Sequence, residues 1–125
     1  MTIQSLIDRL QNTPKPARTL DTSIGELLGW AKKVDMQTDP ASGKQKRVIS
    51  WRPPDGVVEL EPPAYTFDLQ KAYELVLQID PQSVGAVSWD GRVRLLGLTE
   101  VKAVSPQVAL CIVALMRLQE LTGRP

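Results

Sequence analysis

The sequence feature that most limits the fold of this chain is the stretch SPQVALCIVALMRLQEL, which runs from Ser105 to Leu121. Ser105 is a favoured N-cap residue and Pro106 suits the first helical position, so a helix should begin here. Every residue from Val108 to Met116 is apolar, which leaves this helix without a polar side. Because such a helix must be covered by other elements on most sides, we expect it to be the central helix of the core.

The same apolar run is too short to cross a membrane, since a spanning helix needs roughly 20 apolar residues. With 125 residues, the chain has a length typical of one domain with a sizeable core. The amino terminus lacks the basic and apolar segments of a secretory signal. The single cysteine, Cys111, has no partner for an internal disulfide. We therefore expect a protein of a reducing cytoplasm without a membrane anchor.

The amino-terminal segment TIQSLIDRLQ predicts a short amphipathic helix. Its apolar residues recur at helical spacing and form one stripe: Ile3, Leu6, Ile7 and Leu10. The two prolines of the following NTPKPAR disfavour a helix, so we interpret residues 1–19 as a helix plus linker and residues 20–125 as one domain. Because so short a helix is marginal alone, it should dock on its own domain, on a partner, or on a second subunit in a homodimer.

Two further helices and one strand are predicted before residue 81. The segment LDTSIGELLGWAKKV, residues 20–34, predicts a helix that Asp21, Thr22 or Ser23 can cap. We interpret residues 35–45 as a loop and KRVISW, residues 46–51, as a strand, followed by a Pro-rich loop. The segment FDLQKAYELVLQID predicts a helix capped by Asp68, with an apolar stripe formed by Leu69, Ala72, Tyr73, Val76 and Ile79.

The segment SVGAVSWDGRVRLLGL predicts a β-hairpin over residues 84–89 and 92–97. Asp90-Gly91 is typical of a two-residue type I′ turn, which places Trp89 opposite Arg92. It also places Val87 opposite Arg94 and Gly85 opposite Leu96. Trp89, Arg92 and Arg94 then share a face, which we take as a candidate partner-binding surface. The other face should meet the core and holds Val84, Ala86, Val93 and Leu95.

Together these elements predict the order αα-β-α-ββ-α and an α+β fold. We expect a small antiparallel sheet of about three strands, sandwiched by helices.

Charge is unevenly distributed along the chain. Residues 1–52 carry nine basic against five acidic residues, a net charge of +4, whereas the remainder carries six against nine, a net charge of −3. Such asymmetry is found in proteins that bind a polyanion, and also in ordinary solvated faces. The candidate anion-binding residues are Lys32, Lys33, Lys44, Lys46, Arg47 and Arg52.

The residue types for common enzyme chemistry are missing. The chain has no histidine, which excludes Ser–His and Cys–His catalysis and the commonest metal ligand. Cys111 lies within an apolar helix, where a thiol acts as a small hydrophobic side chain. The close acidic pairs, residues 35 with 39 and 59 with 61, lack the spacing of a calcium loop. We therefore expect a non-enzymatic protein with no catalytic residues, metal or cofactor.

YTFDLQKAYELV, the strand with Trp89, and AVSPQVALCIVAL resemble the ABA-sandwich domain of small phage and prophage proteins. The matching residues are Tyr65, Thr66, Asp68, Ala72, Ser105, Pro106, Ala109, Leu110 and Cys111. LLGW and SW are similar to the family's early helix and first strand, so the resemblance covers roughly residues 20–121. It implies a small antiparallel sheet between helices, and an origin in a phage, a prophage or an alpha-proteobacterial genome. The family has no established catalytic residues to carry over.

Two functions of different classes fit these observations. The first is a non-enzymatic phage or prophage accessory protein that binds a host macromolecule, for example to inhibit a bacterial defence system. The second is a nucleic-acid or nucleotide-binding module that uses the basic region 32–52. A host pull-down tests the first, and a salt-dependent titration with nucleic acid tests the second.

Overall fold

The computed structural model describes residues 2–56 and 61–125, which form four helices and two small antiparallel sheets. The predicted α+β class is therefore confirmed. The helices are α1 (Ile3–Asn12), α2 (Arg18–Leu27), α3 (Leu69–Ile79) and α4 (Pro106–Thr122). The strands are β1 (Ala31–Thr38), β2 (Gln45–Arg52), β3 (Gly85–Val87), β4 (Arg92–Leu95) and β5 (Val101–Lys102). Within this described part, no helix is long and apolar enough to cross a membrane.

Helix α4 is the centre of the core, as predicted. The Ser105 hydroxyl accepts a hydrogen bond from the Val108 amide at 3.2 Å, and Pro106 occupies the first turn. Every residue from 108 to 115 is buried, because α1 and α3 pack along α4 while β4 and β5 cover another side. Large apolar side chains buried in this way contribute roughly 1.5–3 kcal/mol each. Most of the packing energy of the fold is therefore concentrated around one helix.

Helix α1 belongs to this same core. Its predicted stripe is buried against α4 and α2: Ile3, Leu6, Ile7 and Leu10 are at most 3% exposed. The Gln4 amide also donates to the Pro125 carbonyl at 2.9 Å, which ties the two ends of the chain together. Of the three docking alternatives, the structure has α1 on its own domain. The stripe proposed for a homodimer therefore offers no free apolar surface.

The second helix is shorter than predicted, and its predicted carboxyl end is a strand. Helix α2 ends at Leu27, and Gly29 follows with a φ of +100°, a conformation that stops a helix. Residues 31–38, predicted as helix and loop, form β1, which pairs antiparallel with β2 from Ala31↔Arg52 to Thr38↔Gln45. Backbone pairing with β2 outweighs the helix propensity of this segment, which begins with the good helix formers Ala31, Lys32 and Lys33. The strand predicted over residues 46–51 is confirmed as β2.

Helix α3 begins where predicted but buries a slightly different face. The Asp68 carboxylate accepts hydrogen bonds from the amides of Gln70 and Lys71, which confirms it as the N-cap. The buried residues of α3 are Ala72, Leu75 and Val76. Tyr73, predicted to be in the core, is half exposed at the edge of the helix.

The β3–β4 hairpin forms, but its predicted register is wrong by one residue. The observed pairs are Gly85↔Leu95, Ala86↔Arg94 and Val87↔Val93. The turn has three residues rather than two: the Ser88 amide donates to the Arg92 carbonyl at 2.8 Å, and Gly91 adopts a φ of +90°. A three-residue loop whose last residue is a Gly with positive φ is a common alternative to the two-residue type I′ turn.

Because side chains alternate along a strand, a register shift of one residue reverses the faces of one strand relative to its neighbour. The side of β3 predicted to meet the core is therefore on the outer face of the sheet. Val93 and Leu95 of β4 are buried as predicted, against α4. Ala86 instead shares the outer face with Arg94, and Val84 is exposed. Strand β5 pairs with β4 and completes the order β3-β4-β5.

Candidate binding surfaces

The structure gathers all six predicted anion-binding residues on one projecting element. We call residues 31–52 the basic hairpin; it comprises β1, β2 and the turn between them. Lys44 lies in the turn, and the strands carry Lys32, Lys33, Lys46, Arg47 and Arg52, all exposed. The hairpin has six basic and two acidic residues, a net charge of +4, whereas the rest of the chain has nine basic and twelve acidic residues, a net charge of −3. The asymmetry in the sequence is therefore a property of this hairpin.

One face of the basic hairpin combines an apolar centre with positive charge. The register stacks three cross-strand pairs on it: Lys32 with Trp51, Val34 with Ile49, and Met36 with Arg47. Val34, Met36 and Ile49 are 44%, 60% and 48% exposed. We call these six residues the hairpin face. Its aliphatic centre continues to Trp51 at one corner and Met36 at another, and the two cations occupy the remaining corners.

Five of the six cations of the hairpin form no ion pair within the described ranges. Lys33 lies 3.6 Å from the Asp35 carboxylate, on the opposite face. Among residues 2–56 and 61–125, no carboxylate forms an ion pair with the other five, namely Lys32, Lys44, Lys46, Arg47 and Arg52. Hydrogen bonds from the Ala41 amide and the Ser42 hydroxyl lower the pKa of Asp39 in the turn, so this acid shapes the turn.

The basic hairpin packs mainly on itself. Its two strands contact one another along their whole length, but every residue of β1 is exposed. A two-stranded hairpin without a covering layer is marginally stable in water. Exposed aliphatic side chains on such an element add little to the stability of the free chain, and an exposed apolar patch of this kind is typical of an interaction site.

The hairpin β3–β4 does not bring Trp89 and the two arginines onto one surface. Arg94 lies on the outer face of the sheet, and so does Arg92, which is directly opposite Lys102 on the neighbouring strand β5. The Arg92 guanidinium is 2.7 Å from the Asp90 carboxylate, and hydrogen bonds from Arg92 and Ser88 lower the pKa of Asp90 to about 2. Trp89 is in the turn, is 86% exposed, and borders a groove on the helical side.

This groove, which we call the Trp89 groove, has a volume of about 630 Å³. It lies between α3 and β3, and α4 forms its floor. The lining residues are Leu69, Gln70, Tyr73, Val87, Trp89 and Leu110. The half-exposed Tyr73 and Val87 therefore face a shared concave surface. Sequence patterns missed this groove because they do not report the separation between α3 and β3.

A buried polar cluster joins α2 to the segment before α3, and sequence reasoning also missed it. One Asp21 carboxylate oxygen accepts hydrogen bonds from the amide and the hydroxyl of Thr66, each at 2.7 Å. The other accepts from Arg18 at 2.9 Å. Asp21 was predicted as a possible N-cap, but it lies inside α2 and is fully buried. Its helical phase, three residues before the buried Ile24, is the signal that indicates burial. Because both carboxylate oxygens of Asp21 accept hydrogen bonds within the cluster, its role is to stabilise the fold.

Cys111 is held in an environment that suppresses thiol chemistry. It is fully buried, and its sulfur donates to the Tyr65 carbonyl at 3.4 Å. Burial is the main cause that raises the pKa of the Cys111 thiol, and it also raises the pKa of Tyr65 to about 12. A neutral buried thiol is a poor nucleophile, so Cys111 is a packing residue.

In the described ranges, no group of three or more acidic or cysteine side chains is placed to hold a metal ion. Glu59 of the acidic pair 59 and 61, and part of the Pro-rich loop after Trp51, lie outside the described residues. Comparisons of the chain with protein-family models, with curated proteins and with solved structures found no match.

Proposed function

We propose that this protein is a non-enzymatic binding protein that contacts a host macromolecule through the hairpin face. The observation that carries the proposal is the exposed apolar centre of Val34, Met36 and Ile49 between two cations on a projecting hairpin. Protein interfaces have this composition: an apolar centre, enriched in Met, Trp and Arg, inside a polar rim. The preferred partner is therefore a protein with an acidic surface, which the net charge of the hairpin attracts.

The resemblance of residues 20–121 to the ABA-sandwich domain of phage and prophage proteins supports the biological setting of this proposal. In that setting, the protein is an accessory protein in the bacterial cytoplasm, and inhibition of a host defence system is the role that we favour. A small projecting surface suits such a role, because an inhibitor acts by occupying a partner and needs no catalytic residues of its own.

A second candidate is binding of nucleic acid by the same hairpin. The five hairpin cations that form no ion pair within residues 2–56 and 61–125 favour it, and a two-stranded β-ribbon fits the major groove of DNA. We rank it second because aliphatic side chains occupy the centre of the hairpin face. Phosphate contacts do not require those side chains.

The protein–partner proposal is tested by a pull-down from a bacterial lysate with two matched variants. Val34→Asp places a charge in the hairpin face, whereas Val104→Asp makes the same change at a valine of similar exposure, 48% against 44%, outside the hairpin. We expect wild type and Val104→Asp to capture the same protein and Val34→Asp to lose it. Capture by none of the three, or equally by all three, contradicts the proposal.

The nucleic-acid candidate is tested by titrating a DNA duplex and a single-stranded oligonucleotide at about 50 mM and 200 mM salt. If phosphate contacts dominate, affinity falls steeply as the salt concentration rises. The double change Lys46→Gln with Arg47→Gln should then make the plot of log affinity against log salt concentration less steep, by the equivalent of roughly two phosphate contacts. Absence of binding at the lower salt concentration removes this candidate and leaves the protein partner.

A further inference from the structure

We propose that the Trp89 groove and the free edge of β3 together form a second binding site, which takes an extended peptide segment as an added strand. This site is separate from the basic hairpin, and it does not depend on the function proposed for the hairpin. The two observations behind it are the backbone groups that β3 leaves unpaired and the apolar groove that lies beside them.

Strand β3 is an edge strand of the order β3-β4-β5. On the side that faces β4, the Leu96 amide donates to the Val84 carbonyl and the Ser88 amide donates to the Arg92 carbonyl. Hydrogen-bonded and non-hydrogen-bonded pairs alternate along an antiparallel ladder. Gly85 and Val87 therefore fall at the non-hydrogen-bonded positions, and their amide and carbonyl groups point away from β4. These outward groups match the backbone of one additional strand.

The groove accepts the side chains that such a strand would carry. Val87 shares its face of the sheet with the buried Val93, so the groove lies on the helical side. Leu69 and Tyr73 of α3 form the opposite wall. Successive side chains of an extended peptide point to opposite faces. Every second side chain would enter the groove, and those between would face solvent.

Charge indicates the chemistry of the segment. None of the six lining residues carries a charged side chain. The nearest charged residues on the turn, Asp90 and Arg92, are paired with each other at 2.7 Å. The groove therefore favours a neutral segment with aliphatic residues at alternate positions. Because β3 has three residues, the paired length is about 10 Å, or three to five peptide residues. This mode of recognition is known as β-augmentation.

The test uses the acetylated, amidated peptide Thr-Val-Thr-Val-Thr as the probe, followed by ¹⁵N-resolved NMR of the full chain. We expect saturable shifts at the amides of Gly85 and Val87 and at the Trp89 indole. In an antiparallel pairing, the peptide residues whose side chains enter the groove also turn their amides towards β3, so a peptide with the same side chains but a methylated amide at the second Val loses one strand hydrogen bond and should bind at least about fivefold more weakly. This control needs no change to the protein.

Protein variants separate the edge, the groove and the hairpin. Val87→Pro removes the outward amide without removing a β3–β4 hydrogen bond, and proline is tolerated on edge strands in this orientation. We expect it to weaken peptide binding about tenfold. Trp89→Ala should weaken it about threefold, and Trp51→Ala, on the hairpin face, should leave it unchanged.

Four outcomes overturn the proposal. The first is no saturable shift at millimolar peptide, and the second is equal binding of the methylated peptide. The third is shifts at Gly85 and Val87 that depend on protein concentration without peptide, which would assign the groove to a second copy of the chain. The fourth is binding of free indole in the groove with no peptide binding, which would make it a small-molecule site. None of these outcomes bears on the pull-down with Val34→Asp, so the two proposals fail independently.

Discussion

Helix α4 and the basic hairpin use the same kinds of residue in opposite ways. Ile112 and Val113 of α4 are fully buried, whereas Ile49 and Val34 of the hairpin are about half exposed. Helices and strands surround α4, whereas in the described part of the chain the strands of the hairpin contact chiefly each other. The comparison teaches that apolar content alone does not identify the core. In α4 these side chains stabilise the fold, and in the hairpin they remain available to a partner.

The two regions also differ in charge. The hairpin has a net charge of +4, and the rest of the chain has a net charge of −3. Charge concentrated on an exposed element adds little to stability but increases the rate at which an oppositely charged partner is found. Substitutions in α4 should therefore change stability, and substitutions in the hairpin should change binding.

The largest expected effect is in α4. Ile112→Ala removes a fully buried side chain, so the free energy of unfolding should fall by roughly 2–5 kcal/mol. The matched change Ile49→Ala in the hairpin should cost less than about 1 kcal/mol, because its side chain is already half in water. Urea unfolding followed by circular dichroism measures both. Equal losses would show that the hairpin is part of the core.

The buried polar cluster gives the next effect. Asp21→Ala leaves the Thr66 amide without its acceptor and the Thr66 hydroxyl with only the longer bond to the Ala17 carbonyl at 3.3 Å, so the free energy of unfolding should fall by roughly 2–3 kcal/mol. Asp21→Asn keeps an acceptor for Thr66 and should cost less. The same urea experiment checks this order. A wild-type midpoint for Asp21→Ala would contradict a structural role for the cluster.

Tyr65 gives a smaller effect that appears only at alkaline pH. Burial is the main cause that raises its pKa from the ordinary value of 10 to about 12, and electrostatic interactions with nearby Cys111 and Asp21 add to it. The unfolded chain therefore loses this proton at a lower pH than the folded chain. With fewer protons bound to the unfolded state, stability should fall as the pH rises from about 10 towards 12.

Tyr65→Phe removes this titration, so its urea midpoint should depend less on pH across that window than the wild-type midpoint. Cys111 acts in the same direction, because burial raises its pKa also, and a residual slope is therefore expected. Parallel curves for the two proteins between pH 10 and 12 would contradict the burial of Tyr65 in the folded state.

The parts of the fold that could be predicted are those fixed by local signals. Ser105 with Pro106 starts α4, Asp68 starts α3, and the stripe beginning at Ile3 identifies α1. Caps and helical periodicity depend on residues only a few positions apart, so one sequence is enough to find them. The same holds for the existence of the β3–β4 turn at Gly91.

The remaining features depend on longer-range geometry. Residues 33–37 of β1 do alternate polar and apolar side chains, but the alternation is only five residues long, and Asp39-Pro40 and Gly43 just after it favour a loop. The β3–β4 register was missed because Asp90-Gly91 fits turns of two and of three residues. The anion-binding candidates were predicted from charge alone, but the hairpin face depends on pairing between residues up to 19 positions apart. The Trp89 groove depends on how α3 packs beside the sheet.

The central claim is that the basic hairpin is a separate element of low stability whose exposed face is kept for a partner. Native-state amide hydrogen exchange on the free protein tests it most directly. We predict that amides of α4 exchange only through global unfolding. Those that pair β1 with β2 should exchange through local opening, at free energies several kcal/mol below the global value. Equal protection of α4 and the hairpin would contradict the claim, because it would show that the hairpin is as firmly part of the fold as the core helix.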